Sequence, residues 1–152
     1  MAEGQTGTKP YRRGGGRSSL ISINGTKVLG VLYPQSNGTD PVYVIRIAEL
    51  WLIRAEARAW QDDVDGASGD LNAVRLRAGV SSVSLVTREE VLDAIERERR
   101  VEFALEPHRW FDLVRTGRAA AVLNVTDARR YIFPIPAPER QADPSLDQNP
   151  GY

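Results

Sequence analysis

Apolar residues surround nearly the whole of one stretch of the chain, from about residue 43 to residue 61. They are Val44, Ile45, Ile47, Ala48, Leu50, Trp51, Leu52, Ile53, Ala55, Ala57 and Ala59. Asp40 can cap a helix at this point, and Pro41 fits its first turn. We therefore predict a helix that runs to about Gln61. A helix that is apolar on nearly all sides is typically buried on several of them.

A second helix is predicted over about residues 67–78, after a turn at residues 62–66. Gly79 is its expected stop, because glycine readily adopts the left-handed conformation that ends many helices. The short connection predicts that the first two helices form an antiparallel pair. Residues 81–86 follow as a loop.

A third helix is predicted to open at Thr87, which forms a capping-box pattern with Glu90. It is expected to run to about Glu106, where Pro107 ends it and opens a fourth helix that continues through Thr116.

The last part of the chain has weaker helical signals. Gly117 follows the fourth helix, and residues 119–123 are predicted to add one more turn. From Asn124 onward the chain is predicted to be a long irregular strap, because prolines interrupt it at positions 134, 136, 138, 144 and 150.

The N-terminal part of the chain lacks the helical pattern. Residues 1–19 are rich in Gly, Ser, Thr and Arg and are predicted to be a loop or disordered segment. Residues 20–42 are predicted to form a β-hairpin and a linker, since Asn24 and Gly25 suit a type I′ turn. Residues 43–152 make up a helical domain. The expected fold is therefore mostly α, with antiparallel helix pairs, a small β-hairpin and a C-terminal strap.

The composition argues against several classes of function. The chain has 20 basic and 20 acidic residues, so its net charge is zero and no long-range field attracts nucleic acid. With no Cys and one His, zinc–thiolate sites and iron–sulfur clusters are excluded, and we expect no cofactor and no metal site. No apolar run approaches the roughly 20 residues of a membrane-spanning helix. The first residues do not resemble a secretory leader.

Two predicted helices carry carboxylates within apolar faces: Glu49 and Glu56 on the first, Glu98 and Glu102 on the third. A buried carboxylate is costly unless it is paired. The candidate partners are Arg46, Arg54, Arg75, Arg77, Arg99, Arg100 and Arg109. Three interpretations stay open: a structural Arg–Glu lattice, a charged wall that faces a ligand, or a carboxylate-bridged metal pair. We favour the lattice, with Glu56 and Glu102 as members.

Signals of catalysis are weak. His108 lies four residues before Asp112, so the two can meet on one helix face, but a structural role is favoured over general-base catalysis. The chain holds no nucleophile elbow, and the glycines at 14–16 lack the context of a phosphate loop. We therefore assign no catalytic residue.

The tryptophans are the other candidates, since aromatic rings can stack on sugars. Trp51 and Trp110 are expected in the core, and Trp60 is the expected exposed ring.

Six sequence blocks, taken together, resemble the C-terminal region of the SusD/RagB family. They are IRIAELWLIRAEA at 45–57, LNAVRLRAG at 71–79, ERERRVEF at 96–103, HRWFDLVR at 108–115, FPIP at 133–136 and QNPGY at 148–152. Their order over residues 43–152 makes the resemblance specific. Pro107 departs from the family pattern, which usually has Gly before the His.

The resemblance implies a lipid-anchored outer-membrane protein with helix pairs of tetratricopeptide type. Such proteins bind glycans or other nutrients, act with a TonB-dependent transporter of the SusC/RagA kind, and are not enzymes. Family members are several times longer and carry a lipid-attachment Cys in a region absent here, so we expect a fragment. The resemblance assigns no ligand-binding residue, because the matched blocks are helix-packing motifs. The alternatives are a helical-repeat scaffold that binds a protein and a carbohydrate-active hydrolase.

Overall fold

The computed structural model describes residues 21–24, 27–30 and 43–152. The predicted loop or disordered segment at 1–19, most of the linker that ends at residue 42, Gly25 of the turn, and the helix-opening pair Asp40 and Pro41 lie outside the described residues. The chain is mostly helical and divides into two compact units, Met1–Glu106 and Pro107–Tyr152.

Two short segments near the N-terminus pair in antiparallel fashion: β1 (Ile21–Asn24) and β2 (Lys27–Gly30). The register sets Ile21 opposite Gly30 and Asn24 opposite Lys27. Since the two residues between the segments are not described, the type I′ turn stays a prediction.

The first helix, α1, spans Ile47–Trp60. It begins later than predicted, because Arg46 keeps an extended backbone with φ −125° and ψ 147°. Its buried residues form a single stripe: Ala48, Leu52, Ala55 and Ala59. The expectation of burial on several sides was wrong for the described chain, where Ile47, Leu50 and Ile53 are exposed.

The second helix, α2 (Val64–Arg77), starts about one turn earlier than predicted. The cause is Asp63, whose carboxylate caps the helix by accepting the Gly66 N–H at 2.9 Å. The stop at Gly79 is confirmed: its φ is +74°, and it donates to the Leu76 carbonyl while Val80 donates to Arg75.

Helices α1 and α2 form an antiparallel pair, as predicted. Arg54 of α1 binds Asp70 of α2, and Arg58, one turn further on, binds the carbonyl of Gly66, one turn further back. Small buried residues, Ala55, Ala59 and Ala67, line the pair.

The third helix, α3 (Arg88–Glu102), opens with the predicted capping box. The Thr87 hydroxyl accepts the Glu90 N–H, and the Glu90 carboxylate accepts the N–H groups of Val86 and Thr87. The backbone bond from Val86, which has the larger effect, and the one from Thr87 hold the pKa of Glu90 below its usual range. The helix ends before the predicted Glu106, since the backbone turns left-handed at Leu105 with φ +70°.

Helix α3 runs parallel to α2 and not antiparallel to it. Arg75 binds Glu98, and Arg77, further along α2, binds Glu102, further along α3. The chain can do this because residues 78–87, which we call the return segment, run back beside α2. The Asn72 side chain holds this segment by donating to the Val83 carbonyl and accepting the Val83 N–H, both at 2.9 Å.

The core of the first unit lies among these three helices. Its fully buried side chains include Leu52, Leu71, Val91 and Ile95. Val83 and Leu85 of the return segment pack against it.

The second unit holds α4 (Arg109–Arg115), α5 (Ala119–Leu123), a 3₁₀ turn (Ala128–Tyr131) and α6 (Ala137–Ala142). The predicted extra turn is confirmed as α5, and Gly117 follows α4 with φ +70°. Pro107 precedes the N-cap residue His108, so it does not lie in the first turn of α4. The 3₁₀ turn and α6 interrupt the predicted irregular strap.

The end of the strap folds back on residues 132–135 of the same unit. The Gln148 amide donates to the Ile135 carbonyl and accepts its N–H, and Asn149 donates to the Phe133 carbonyl. The Tyr152 hydroxyl donates to the Ile132 carbonyl at 2.9 Å. These side chains replace the sheet or helix bonds that an irregular segment lacks.

Substitution Asn72→Ala is expected to lower the free energy of unfolding by ~1–3 kcal/mol, because the Val83 N–H and carbonyl lose their partners. Urea unfolding measures this change. Leu76→Ala, on the exposed side of the same helix, serves as the control and should stay within ~0.5 kcal/mol. Equal effects of the two substitutions would contradict the anchoring role.

The capping box is expected to weaken in acid. The bonds to Glu90 require its carboxylate, whose pKa is lowered, so their contribution is complete above the usual glutamate range and is lost as the pH falls through the lowered pKa. The protection factors of the Val86 and Thr87 amides, measured by hydrogen exchange and corrected for the intrinsic exchange rate at each pH, should fall over that window. In Glu90→Gln, whose amide oxygen accepts at any pH, these two protection factors should not change over that window.

Candidate functional site

Among the described residues of the first unit, Glu102 is the most deeply buried charge, with a side chain 0% exposed. Its two carboxylate oxygens accept bonds of 2.6 Å from Arg46 and Arg77. These residues lie at the start of α1 and the end of α2, so one carboxylate at the end of α3 joins three helices.

Arg46 binds more than this one group. Its guanidinium donates to both carboxylate oxygens of Glu106, at 3.1 and 3.3 Å, and to the backbone carbonyl of Glu102. Its Cζ atom also lies 5.0 Å from the centre of the Phe103 ring. The extended backbone that delays the start of α1 aims this side chain into the network.

A second cluster of charges links α1 to α2. Buried Asp70 accepts a two-pronged pair of 2.8 Å bonds from Arg54 and a third from Arg58. Asp70 was not among the residues predicted from the sequence. Its signal was available, because Asp70 interrupts the apolar stripe of α2 and faces two arginines spaced four residues apart on α1.

These contacts support the structural lattice among the three interpretations. Glu102 is confirmed as a member of the lattice. Four of the predicted arginines are confirmed as partners of buried carboxylates: Arg46, Arg54, Arg75 and Arg77. A charged wall open to a ligand does not fit a carboxylate with no exposed surface. Glu56 is half-buried, and its role in the lattice stays a prediction.

The described residues hold no group of three or more His, Asp or Glu side chains that could bind a metal ion. Asp112, the predicted neighbour of His108, is buried and accepts a 3.0 Å bond from Arg115. A charge-assisted hydrogen bond from arginine holds a carboxylate in one position, as in the lattice of the first unit.

Trp60 is exposed, as predicted, with 62% of its surface open. It is the last residue of α1, and the Arg88 guanidinium lies 5.8 Å from its ring centre. Arg88 in turn donates to Asp62 at 3.0 Å. The predicted core position of Trp51 is confirmed in part: it is half-buried against the core, with Arg54 stacked over its ring at 4.5 Å.

A second aromatic surface lies in the C-terminal unit and was missed from the sequence. Half-buried Trp110 meets Tyr131 edge-on at 6.4 Å, and Phe133 lies 6.4 Å from Trp110 and 6.2 Å from Phe111. Phe111 and Phe133 are exposed. The rings come together because the chain returns after α5, a long-range event without a local signal.

Across residues 43–152 and the two short strands, none of the helices has the length and apolar character needed to cross a bilayer.

Removing the Glu102 carboxylate should be costly. Glu102→Ala leaves Arg46 and Arg77 without their shared partner, and breaking a buried pair typically costs ~3–5 kcal/mol. Glu89→Ala, at the exposed start of the same helix, is the control, with an expected cost of at most ~1 kcal/mol. Thermal unfolding followed by circular dichroism compares them. A Glu102→Ala melt within a degree or two of the parent would refute the lattice at this position.

Comparison with known proteins agrees with this architecture. The sequence profile of the SusD family matches residues 33–125. SusD-like protein P38 of Formosa agariphila is 30% identical over 123 residues, which cover 73% of this chain and 24% of that protein. A SusD-like protein of Bacteroides ovatus is 37% identical over 83 residues, covering 53% of this chain and 14% of that protein.

Solved structures give the same result. A SusD superfamily protein from Bacteroides vulgatus superposes with a TM-score of 0.63 at 31% identity, over 71% of this chain and 27% of that one. Surface glycan-binding protein A from Bacteroides thetaiotaomicron superposes with a TM-score of 0.55 at 36% identity, over 68% of this chain and 23% of that one.

The chain spans about a quarter of the length of the first two relatives. The profile match covers α1 to α5, which include the buried lattice and the helix ends around Trp60. On this match, the chain belongs to the SusD family.

Proposed function

We propose that this chain is part of a protein that binds a glycan at the outer membrane and delivers it to a TonB-dependent transporter of the SusC/RagA kind. One observation carries the proposal: a chain of the SusD family superposes on two surface glycan-binding proteins, from Bacteroides uniformis and Bacteroides thetaiotaomicron, at 32% and 36% identity. Attachment through a lipid anchor is part of the same proposal.

Binding without catalysis fits the chemistry of the described acids. Glu98, Glu102 and Asp70 are buried and each is bound by arginine. Sugar hydrolysis needs carboxyl groups that can reach the scissile bond of the substrate. The buried carboxylates of these three residues are instead occupied by hydrogen bonds from arginine side chains. These residues therefore act in the fold, and we propose that the protein is not an enzyme.

The helix packing is proposed to be of tetratricopeptide type. The antiparallel pair α1–α2, lined by small residues, is the kind of unit that such proteins stack. A role as a protein-binding scaffold is the second candidate, and the exposed apolar side of α1 favours it.

The proposal predicts binding without turnover. In native gels that contain a neutral polysaccharide, such as a β-glucan, a mannan or a starch, the chain should migrate more slowly than in a plain gel in at least one case. A protein of similar mass that binds no sugar is the control. Incubation with the same polysaccharides should release no reducing sugar. Sugar release at enzyme-like rates would favour a hydrolase, and unchanged migration in every gel would contradict glycan binding.

A further inference from the structure

Trp60 is placed where its ring adds little to the core. It follows fully buried Ala59 at the end of α1, and most of its surface stays open to solvent. Large aromatic rings are otherwise a strong source of stability when buried. An exposed tryptophan at a helix end is therefore a candidate ligand contact.

The ring does not stand alone, because the ends of two helices meet beside it. Arg88, the first residue of α3, lies 5.8 Å from the ring centre and is held by Asp62 at 3.0 Å and Glu89 at 3.6 Å. Asp62 follows the C-cap of α1 with φ +62°, and its N–H donates to the Ala59 carbonyl while that of Asp63 donates to the Arg58 carbonyl. This Schellman ending fixes the backbone of Asp62 beside the ring.

We infer that Trp60 is a stacking subsite for one sugar ring, with Arg88 and Asp62 binding its hydroxyl groups. The inference rests on the proposed function and names ligand contacts for it. The face of an aromatic ring is electron-rich and attracts the polarised C–H groups on one side of a pyranose. The hydroxyl groups at the edge of that sugar need donors and acceptors, which a guanidinium and an exposed carboxylate supply.

The charges around the ring select a neutral sugar. Arg88 is already matched by Asp62 and Glu89, both of which have largely exposed side chains. Asp63 also lies in the turn after α1, and its side chain is half-exposed. It pairs with Arg58, which pairs with buried Asp70 as well. Carboxylates outnumber guanidinium groups here, so a uronate or a sulfated sugar would meet net repulsion.

The aromatic surface of the second unit is a weaker candidate for this role. Its exposed rings, Phe111 and Phe133, pack against each other at 6.2 Å. Phenylalanine rings carry no hydrogen-bonding group of their own, whereas Trp60 has an indole N–H and lies beside an ion pair.

Isothermal titration calorimetry with cellohexaose, maltohexaose and mannohexaose tests the inference, with hexagalacturonate as the acidic probe. At least one neutral hexasaccharide should bind the parent chain, and the acidic one should bind more weakly. Trp60→Ala should weaken binding about tenfold, equivalent to ~1.4 kcal/mol, because the stacking surface is lost. Trp60→Phe should lose less. Phe111→Ala is the matched control and should stay within about twofold of the parent.

A second readout follows the ring itself. Sugar binding should change the tryptophan fluorescence of the parent and of Phe111→Ala, but not that of Trp60→Ala. Because the ring is exposed, Trp60→Ala should keep the circular dichroism spectrum and melting temperature of the parent.

The outcomes separate the two proposals. If the parent binds a neutral sugar and Trp60→Ala binds it equally well, the subsite is wrong while glycan binding stands. If Phe111→Ala loses binding instead, the ligand lies on the aromatic surface of the second unit. Tighter binding of hexagalacturonate would overturn the neutral class, and a parent chain that binds none of the probes would overturn both the proposed function and the subsite.

Discussion

The ion pairs of Glu102 are the constraint on which the first unit depends. A carboxylate with no exposed surface is tolerated only where charged donors satisfy both of its oxygens. Arg46 and Arg77 do so from two other helices. The geometry is demanding, because each guanidinium must reach the same carboxylate from a different direction. This demand fixes the ends of α1, α2 and α3 relative to one another more narrowly than apolar contacts alone would.

The direction of α3 follows from this arrangement. For Glu98 and Glu102 to meet Arg75 and Arg77 in the same order, α3 must run parallel to α2, and the chain must first travel back beside α2. Asn72 secures that return at Val83. The start of α3 then comes close to the end of α1, where Arg88 binds Asp62. One end of the bundle is thus closed by buried charges, while the other presents exposed ones around Trp60.

Local signals in the sequence predicted local structure well. The capping box at Thr87 and the glycine stops at 79 and 117 are recognised from neighbouring residues alone, and the structure confirms them. The start of α1 was misplaced because Arg46 is extended, and its conformation follows its bonds to residues 56 and 60 positions away. The aromatic surface around Trp110 was missed for the same reason, whereas Asp70 was missed although it interrupts the apolar stripe of α2. Periodicity shows which face of a helix is apolar, but it does not show which distant residue will meet it.

The charged and the apolar residues of α1 have different structural roles. Its buried side carries alanines and Leu52, while its arginines fix the pairing with α2 and α3. Its other side exposes Ile47, Leu50 and Ile53, one turn apart. In stacked-helix proteins each pair buries only part of its apolar surface, and the next pair covers the rest. Ion pairs resist a change of register because their geometry is specific, whereas an apolar row accepts any neighbour of suitable shape. The lattice therefore preserves the architecture of this unit, and the apolar row allows further packing without altering it.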